Sequence, residues 1–314
     1  MEAIRFTKLK IRLQTPEDCQ LPRHKVSAIR GGMGNVLLAQ HCIRDGKCGS
    51  CDFQESCIVQ NIMYAPFRIK PSFATQNESM GYVIDCTSKK VEYHAGESLW
   101  VEFTLFGNTI AYIMPIIYAL TSLGGTGLGK EAASFQVAEI VNRRRKPILK
   151  DGCIAMRNVL VETVESYVNE RIAHQENHQG NQAGHVWLSL DTPCAVKSQG
   201  EFLQAFDGRS LVLAMIQKLY MYQLYEGKQA EKEHFAEEEF PAVKSQRLEP
   251  ATIPRYSATQ ERKMYLKGIT GVLELEGCTE KVMRYLYAME ILHLGKNTRL
   301  GFGKVTVRNR YDIS

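Results

Sequence analysis

Apolar positions along this chain follow two rhythms, one strand-like and one helical, and their order is run through twice. At the start Ile4, Phe6, Leu9, Ile11 and Leu13 predict a strand over Ile4 to Leu13. A helix is expected from His24 to Gln40, although Gly31, Gly32 and Gly34 fall inside it. Tyr82 to Cys86 and Leu99 to Phe106 read as strands, and Thr109 to Leu123 as a buried helix. A glycine loop, Gly124 to Gly129, then leads to a strand at Ser134 to Ile140. The second half begins again with a strand at Val186 to Leu190 and a helix at Arg209 to Tyr225. On one face of that helix Leu211, Met215, Leu219 and Tyr222 recur at three- and four-residue spacing. Glu226 to Gln260 is charged and holds three prolines, so it reads as a long exposed loop. Strands at Met264 to Ile269 and Val272 to Leu275, split by Gly271, precede a helix at Glu280 to Leu292, a second glycine loop and a last strand at Lys304 to Arg308.

Strand–helix–strand–strand–helix–strand, twice over, is the split βαβ or ferredoxin-like order. The two glycine loops support an internal repeat. Leu120, Leu123, Gly124, Gly127, Gly129, Phe135 and Val137 correspond to Leu292, Leu294, Gly295, Gly301, Gly303, Val305 and Val307. The expected fold is therefore α+β, with tandem ferredoxin-like (RRM-like) domains over 1–183 and 184–314. The first would hold a small cysteine metal-knot insert near 42–62, and the second a glycine-rich loop at 294–304.

Composition narrows the class. A chain of 314 residues is ample for two cores, and 44% apolar with 23% charged residues is ordinary globular usage. Arg5, Lys8, Lys10 and Arg12 break any secretory-type apolar run. Phe103 to Gly129 is free of charge, but its continuous apolar part, Ile110 to Leu120, is shorter than the ~20 residues a membrane helix needs. No membrane partner is expected. The net charge of +5 hides a division: seven glutamates against four Lys/Arg between Glu226 and Pro250 leave the rest of the chain at +8. Lys281, Arg284, Lys296, Arg299, Lys304, Arg308 and Arg310 face only Glu290 over the last stretch, which suits a polyanion or a solvated face equally. Nine cysteines, an odd number, argue against a disulfide framework and for a reducing, cytoplasmic location.

Several motifs bear on chemistry. In His293-Leu294-Gly295-Lys296-Asn297-Thr298-Arg299-Leu300-Gly301-Phe302-Gly303-Lys304, glycines permit positive φ and close approach of backbone to phosphate. Lys296, Arg299 and Lys304 supply cations there, and Asn297 or Thr298 hydrogen bonds to sugar or base. The plain alternative is a helix-to-strand connection that needs glycine for its geometry. The spacing is not that of an ATP-binding loop, which excludes nucleotide hydrolysis on that motif. Arg143-Arg144-Arg145-Lys146 either tracks phosphates or forms a solvated strand edge. Cys42, Cys48, Cys51 and Cys57 lie within sixteen residues, enough for a closed tetrahedral structural zinc site. An iron–sulfur cluster is the rival, and unliganded thiols the third case.

Gly268 to Gly277, the helix after it, and Leu292-His293-Leu294-Gly295-Lys296 with Leu300-Gly301-Phe302-Gly303-Lys304-Val305 resemble the C-terminal signature of the CRISPR-associated RAMP endoribonucleases. Ile29-Arg30-Gly31-Gly32-Met33-Gly34 resembles their first helix, Leu123 to Gly129 their first glycine loop, and Asp191 to Lys197 the entry to their second domain. Pro254-Arg255-Tyr256-Ser257 is similar to a segment ahead of their signature strands. The first glycine loop departs from the pattern at Lys130-Glu131-Ala132-Ala133, where arginine or glycine is expected.

The resemblance implies cleavage of precursor CRISPR RNA without a catalytic metal. The 2′-hydroxyl would attack the adjacent phosphate, leaving a 2′,3′-cyclic phosphate. That chemistry asks for a base near neutral pKa and for cations or proton donors about the phosphate. His41, ending the first helix, is the first candidate base, with His293 beside the glycine loop and His24 as rivals. Tyr64 is the candidate helper, with Arg68 and Lys70 near it. His174, His178 and His234 sit in polar stretches and are expected in solvent. Arg30, Arg143, Arg144, Arg255, Lys296, Asn297, Arg299 and Lys304 are the expected RNA contacts. CRISPR repeat RNA and other CRISPR effector subunits are the expected partners. A non-catalytic subunit that holds guide RNA, or an unrelated zinc-containing RNA-binding module, would share much of this pattern.

Overall fold

Alternation in the first strand decides which way the first sheet faces. A computed structural model describes residues 1–44, 46, 48–72, 79–178, 185–257 and 262–309. Its main elements in the first half are β1 (Arg5–Gln14), α1 (Lys25–His41), β2 (Tyr82–Asp85), β3 (Ser98–Phe106), α2 (Ile113–Thr126), β4 (Gln136–Asn142), β5 (Pro147–Lys150) and β6 (Cys153–Ile154). Leu9, Ile11 and Leu13 of β1 turn to the helices and join one core with Ile29, Met33 and Leu37 of α1 and Ile113, Ile116 and Leu120 of α2. The sheet is antiparallel in the order β2-β3-β1-β4, the ferredoxin-like arrangement, and β5 and β6 extend it beyond β4.

The glycines of α1 do not break it, because they are where it meets its neighbours. A Cβ on Gly32 would lie 2.4 Å from Leu123 Cδ1 of α2, so glycine there sets the spacing between the helices. Gly107–Thr126 is long and apolar enough to cross a bilayer by length and composition. Its apolar residues Ile113, Ile116, Ile117, Leu120 and Leu123 nevertheless belong to the core, as expected of a buried helix. Gly124, Gly125 and Thr126 complete α2 rather than opening a loop, and the chain turns only at Gly127, where φ is 86°.

The second half holds α3 (Val164–His178), β7 (Val186–Cys194), α4 (Gly208–Tyr225), β8 (Ala242–Ser257), β9 (Arg262–Glu276), α5 (Glu280–Leu292) and β10 (Val305–Asn309). Its sheet order, β8-β9-β7-β10, is ferredoxin-like again. The tandem arrangement expected from the repeat is therefore present. The supposed loop at Glu226 to Gln260 instead contains β8, sixteen residues long. Pro250 and Pro254 disguise it, but β8 is an edge strand, where a residue without an N–H is tolerated. The two short strands at Met264 to Leu275 are one, β9, which runs through Gly271 at φ 139°. Residues 258–261 and Arg310 lie outside the described residues, as do the side chains of Tyr256, Ser257 and His178.

The chain divides into two compact units, one of Arg5–Glu162 with Leu224–Gly227, the other of Met1–Ile4, Thr163–Gln223 and Lys228–Ser314. The division falls at Glu162/Thr163 rather than at 183/184 because α3 packs on α5. Arg171 pairs with Glu290 at 3.0 Å and sits over the Tyr287 ring, while Tyr167 donates to the same glutamate at 2.9 Å. In the first unit Tyr225 and Thr109 hydroxyls lie 2.9 Å apart, and the Glu226 carboxylate, 3% exposed, accepts from Arg5 at 2.8 Å.

Candidate functional site

The glycine-rich loop after α5 is built on the end of β7. Gly303 N–H donates to Pro193 O at 2.9 Å, Lys296 N–H to Ala195 O at 2.9 Å, and Lys304 N–H to Thr192 Oγ1 at 2.9 Å. Leu294 N–H closes the loop onto Gly303 O at 2.8 Å. A Cβ on Gly303, whose φ is 77°, would stand 2.1 Å from Leu294 O, so only glycine allows this closure. Phe302 is fully buried and packs with Ala195, Ile253 and Leu266, which ties the loop to the β8–β9 hairpin. The loop thus brings Lys296, Asn297, Arg299 and Lys304 together on a rigid base. Lys296 is exposed, the other three half-buried, and Asn297 adopts the left-handed conformation at φ 62°.

His293 does not face solvent. It is 1% exposed, and its Nδ1 lies 3.1 Å from Phe302 O, to which it donates. Its ring is a brace inside the loop, and burial takes it away from any reacting RNA in this arrangement. Beneath the loop lies a cation the sequence reading passed over. Lys218 of α4, 6% exposed, donates to Gly295 O at 3.0 Å, and its ammonium lies 5.7 Å from the Tyr222 ring. The signal was present: a lone lysine between Met215 and Tyr222 on an apolar helical stripe.

The end of α1 forms a second locus. His41 is the last residue of the helix and is exposed. It opens onto a cavity of about 280 Å³ lined mainly by the cysteine insert, including Cys42, Cys48, Cys51, Cys57 and Gln60. Gln60 begins the single π-turn, Gln60–Tyr64, that ends on Tyr64, also exposed. Arg68 is engaged by Asn108 Oδ1 at 2.6 Å, and Lys70 is exposed. His24, the residue before α1, is half-buried. Its pKa is lowered by burial first and then by Arg23, Lys89 and Lys25. Lys25 is itself buried, with its ammonium on the carbonyls of Lys90 at 2.6 Å and Ser88 at 3.2 Å. His174 and His234 are exposed as expected.

All four clustered cysteines are free thiols. Burial raises the Cys48 pKa, and Cys42, Cys57 and Cys51 add to that rise, so the four sense one another. A zinc shell, however, requires each sulfur about 2.3 Å from one ion. Among the described residues no three or more His, Cys, Asp or Glu side chains are disposed to hold a metal. In this arrangement the four thiols line one cavity.

The basic run Arg143 to Lys146 is the turn between β4 and β5. The Asn142 Oδ1 accepts from the N–H groups of Arg144 and Lys146 at 2.9 and 3.0 Å. Arg143 is committed to Glu162 through two hydrogen bonds of 2.9 and 2.6 Å, whereas the Arg144 side chain is 61% exposed. Arg30 and Arg255 are half-buried on α1 and β8. The expected RNA contacts therefore fall into separate groups, of which the glycine-rich loop is the one the fold assembles.

Residues 4–161 match the family model of the AF_1859 N-terminal domain, and residues 188–305 match that of the CRISPR-associated endoribonuclease Cas6. Over 175 residues, 55% of the chain, there is 25% identity to an uncharacterized protein of Archaeoglobus fulgidus, of which the match spans 57%. Thermus thermophilus Cas6 superposes with a TM-score of 0.53 at 12% identity, over 97% of this chain and 99% of that one. A Cas6 product complex gives 0.52 at 15% identity, over 97% and 99%. A partial Cas6-RT-Cas1–Cas2 complex gives 0.58 at 10% identity, over 98% of this chain and 46% of that one. At such identities the structural likeness is one of fold.

Proposed function

We propose that this chain, whose residues 188–305 match the CRISPR-associated endoribonuclease Cas6 model, cuts CRISPR repeat transcripts into guide RNAs by attack of the substrate's own 2′-hydroxyl. The observation that supports RNA handling most directly is the glycine-rich loop. Lys296, Asn297, Arg299 and Lys304 sit on one loop whose backbone is fixed to the end of β7 and to Ala195 just after it by three hydrogen bonds. Such a loop holds a phosphodiester without a conformational search.

His41 is the base in this reading. It is exposed at the end of α1, where a ring can meet a substrate hydroxyl, whereas His293 is enclosed. His41 takes the 2′-hydroxyl proton as the 2′-oxygen bonds to phosphorus. The bond from phosphorus to the 5′-oxygen breaks, and Tyr64 donates the proton that this oxygen gains. The products are a 2′,3′-cyclic phosphate and a 5′-hydroxyl. Lysine and arginine about the phosphate offset the charge that develops on its oxygens. Repeat RNA is the partner this reading requires, and other CRISPR effector subunits are further partners consistent with it.

The test is incubation with the host's repeat RNA in EDTA, comparing wild type with His41→Ala, Tyr64→Phe and His293→Ala. Single-position cleavage lost in His41→Ala, with RNA binding kept, is the expected result. His293→Ala should lose binding together with cleavage, because it opens the loop. Tight binding by wild type without any cleavage would overturn the enzyme reading in favour of a guide-holding subunit.

A further inference from the structure

The face of the first sheet turned away from α1 and α2 presents a row of side chains that neither the glycine-rich loop nor the end of α1 uses. Leu9, Ile11 and Leu13 of β1 point to the helices, so Lys8, Lys10, Arg12 and Gln14 point the other way. Strand register extends that alternation across the sheet. Arg12 stands opposite Trp100 on β3 and Glu139 on β4, and Glu139 stands opposite Lys150 on β5. In the next row Gln14 lies between Ser98 and Gln136.

Trp100 is 46% exposed, which leaves much of a large indole in water at the end of its row. As a cross-strand pair with Arg12 it contributes less to the sheet than burial would give it. The charges on this face are unequal: Lys8, Lys10, Arg12 and Lys150 against Asp85, Glu102 and Glu139. Glu102 is shared by Lys8 at 2.8 Å and Lys10 at 3.1 Å, and Arg12 reaches Glu139 at 3.5 Å. The surplus is positive. Two copies meeting through this face would set like charge against like, whereas a phosphodiester strand complements it. Exposed aromatics on an open sheet, with cations to track phosphates and amides for base edges, suit unpaired nucleotides.

We infer that Trp100, with Arg12 beside it on the neighbouring strand, is a stacking platform for an unpaired base of the RNA, distinct from the glycine-rich loop. The inference rests on the RNA-handling reading and adds where single-stranded RNA lies. The chain has two tryptophans, so Trp187→Phe leaves Trp100 as the sole indole reporter. Titration with a short oligouridylate should quench its emission, and a duplex RNA of equal length should not. Trp100→Ala should weaken oligouridylate and repeat-RNA binding about tenfold, as loss of one stacked base does. Trp100→Phe should retain most of the affinity, and both variants should melt close to wild type. Unchanged emission on saturation, with Trp100→Ala binding within about twofold of wild type, would overturn the platform while leaving RNA processing intact. Concentration-dependent self-association abolished by Trp100→Ala would overturn it in favour of a second copy. Failure of wild type to bind any RNA would remove the functional reading and the platform with it.

Discussion

The ammonium of Lys218 and the carbonyl oxygen of Gly295 are 3.0 Å apart, inside the second ferredoxin-like unit. Lys218 also lies close enough to Cys194 to oppose the rise in that thiol's pKa. Replacing it by methionine keeps the length of the side chain and leaves a buried carbonyl unpaired, at a cost of about 1–3 kcal/mol. Lys218→Met should therefore lower the urea midpoint and weaken repeat-RNA binding, and Lys218→Arg should restore part of both. A variant that binds RNA as wild type does would show that the loop needs no support from below.

Arg143 and Arg144 are adjacent but should answer to different assays. Arg143 forms a two-bonded pair with Glu162, so Arg143→Ala should cost stability, on the order of 2 kcal/mol in urea unfolding. Arg144 is mostly open to solvent and meets Glu162 only at 3.7 Å, so Arg144→Ala should cost far less stability than Arg143→Ala. If the turn meets RNA, that variant should reduce the slope of log affinity against log salt by roughly one.

Thiol reactivity should follow burial. The Cys194 and Cys278 thiols are each pushed up to about 12 by burial, and Cys153 is exposed. Iodoacetamide labelling of the folded protein, mapped by mass spectrometry, should reach Cys153 first and Cys194 last. Early labelling of Cys194 would contradict its packing beneath Leu294.

Acid should destabilise the first unit through His24. Burial and the cations Arg23, Lys89 and Lys25 hold its folded pKa below the ordinary value. As pH falls, the unfolded imidazole takes up its proton first, so the folded state loses stability below the ordinary imidazole range and keeps it fully above. Urea midpoints at about pH 7.5 and about pH 5.5 should differ less in His24→Gln than in wild type.

How far the sequence alone could lead depended on which force held each element. Helix α5 was legible because its apolar stripe is regular and Thr279 caps it, the hydroxyl accepting from Val282 N–H at 3.2 Å. Strand β8 was not, since its prolines are read as breakers unless the edge position is known. Helix α3 was missed because much of its packing is polar, through Tyr167 and Arg171, and leaves little apolar rhythm. The glycine-rich loop was found from its residue types. That His293 is enclosed by it, and that Lys218 lies under it, depends on long-range packing that no local pattern encodes. A run of four cations likewise gives no sign that Arg143 is hydrogen-bonded twice to Glu162 while Arg144 reaches the same carboxylate only at 3.7 Å.

The partition of the chain has a consequence for its synthesis. Leu224–Gly227 belong to the unit that otherwise ends at Glu162, and Met1–Ile4 belong to the other, where Val164 N–H donates to Ile4 O at 2.9 Å. A ribosome emits the nascent chain from its N-terminus, so Arg5 has no Glu226 and Thr109 no Tyr225 until translation has passed well into the second half. A fragment stopped at Glu162 lacks Leu224–Gly227 of its own unit, and one begun at Thr163 lacks Met1–Ile4 of its own. The unit of Arg5–Glu162 is thus completed only by residues encoded about sixty codons after its last continuous one, Leu224–Gly227.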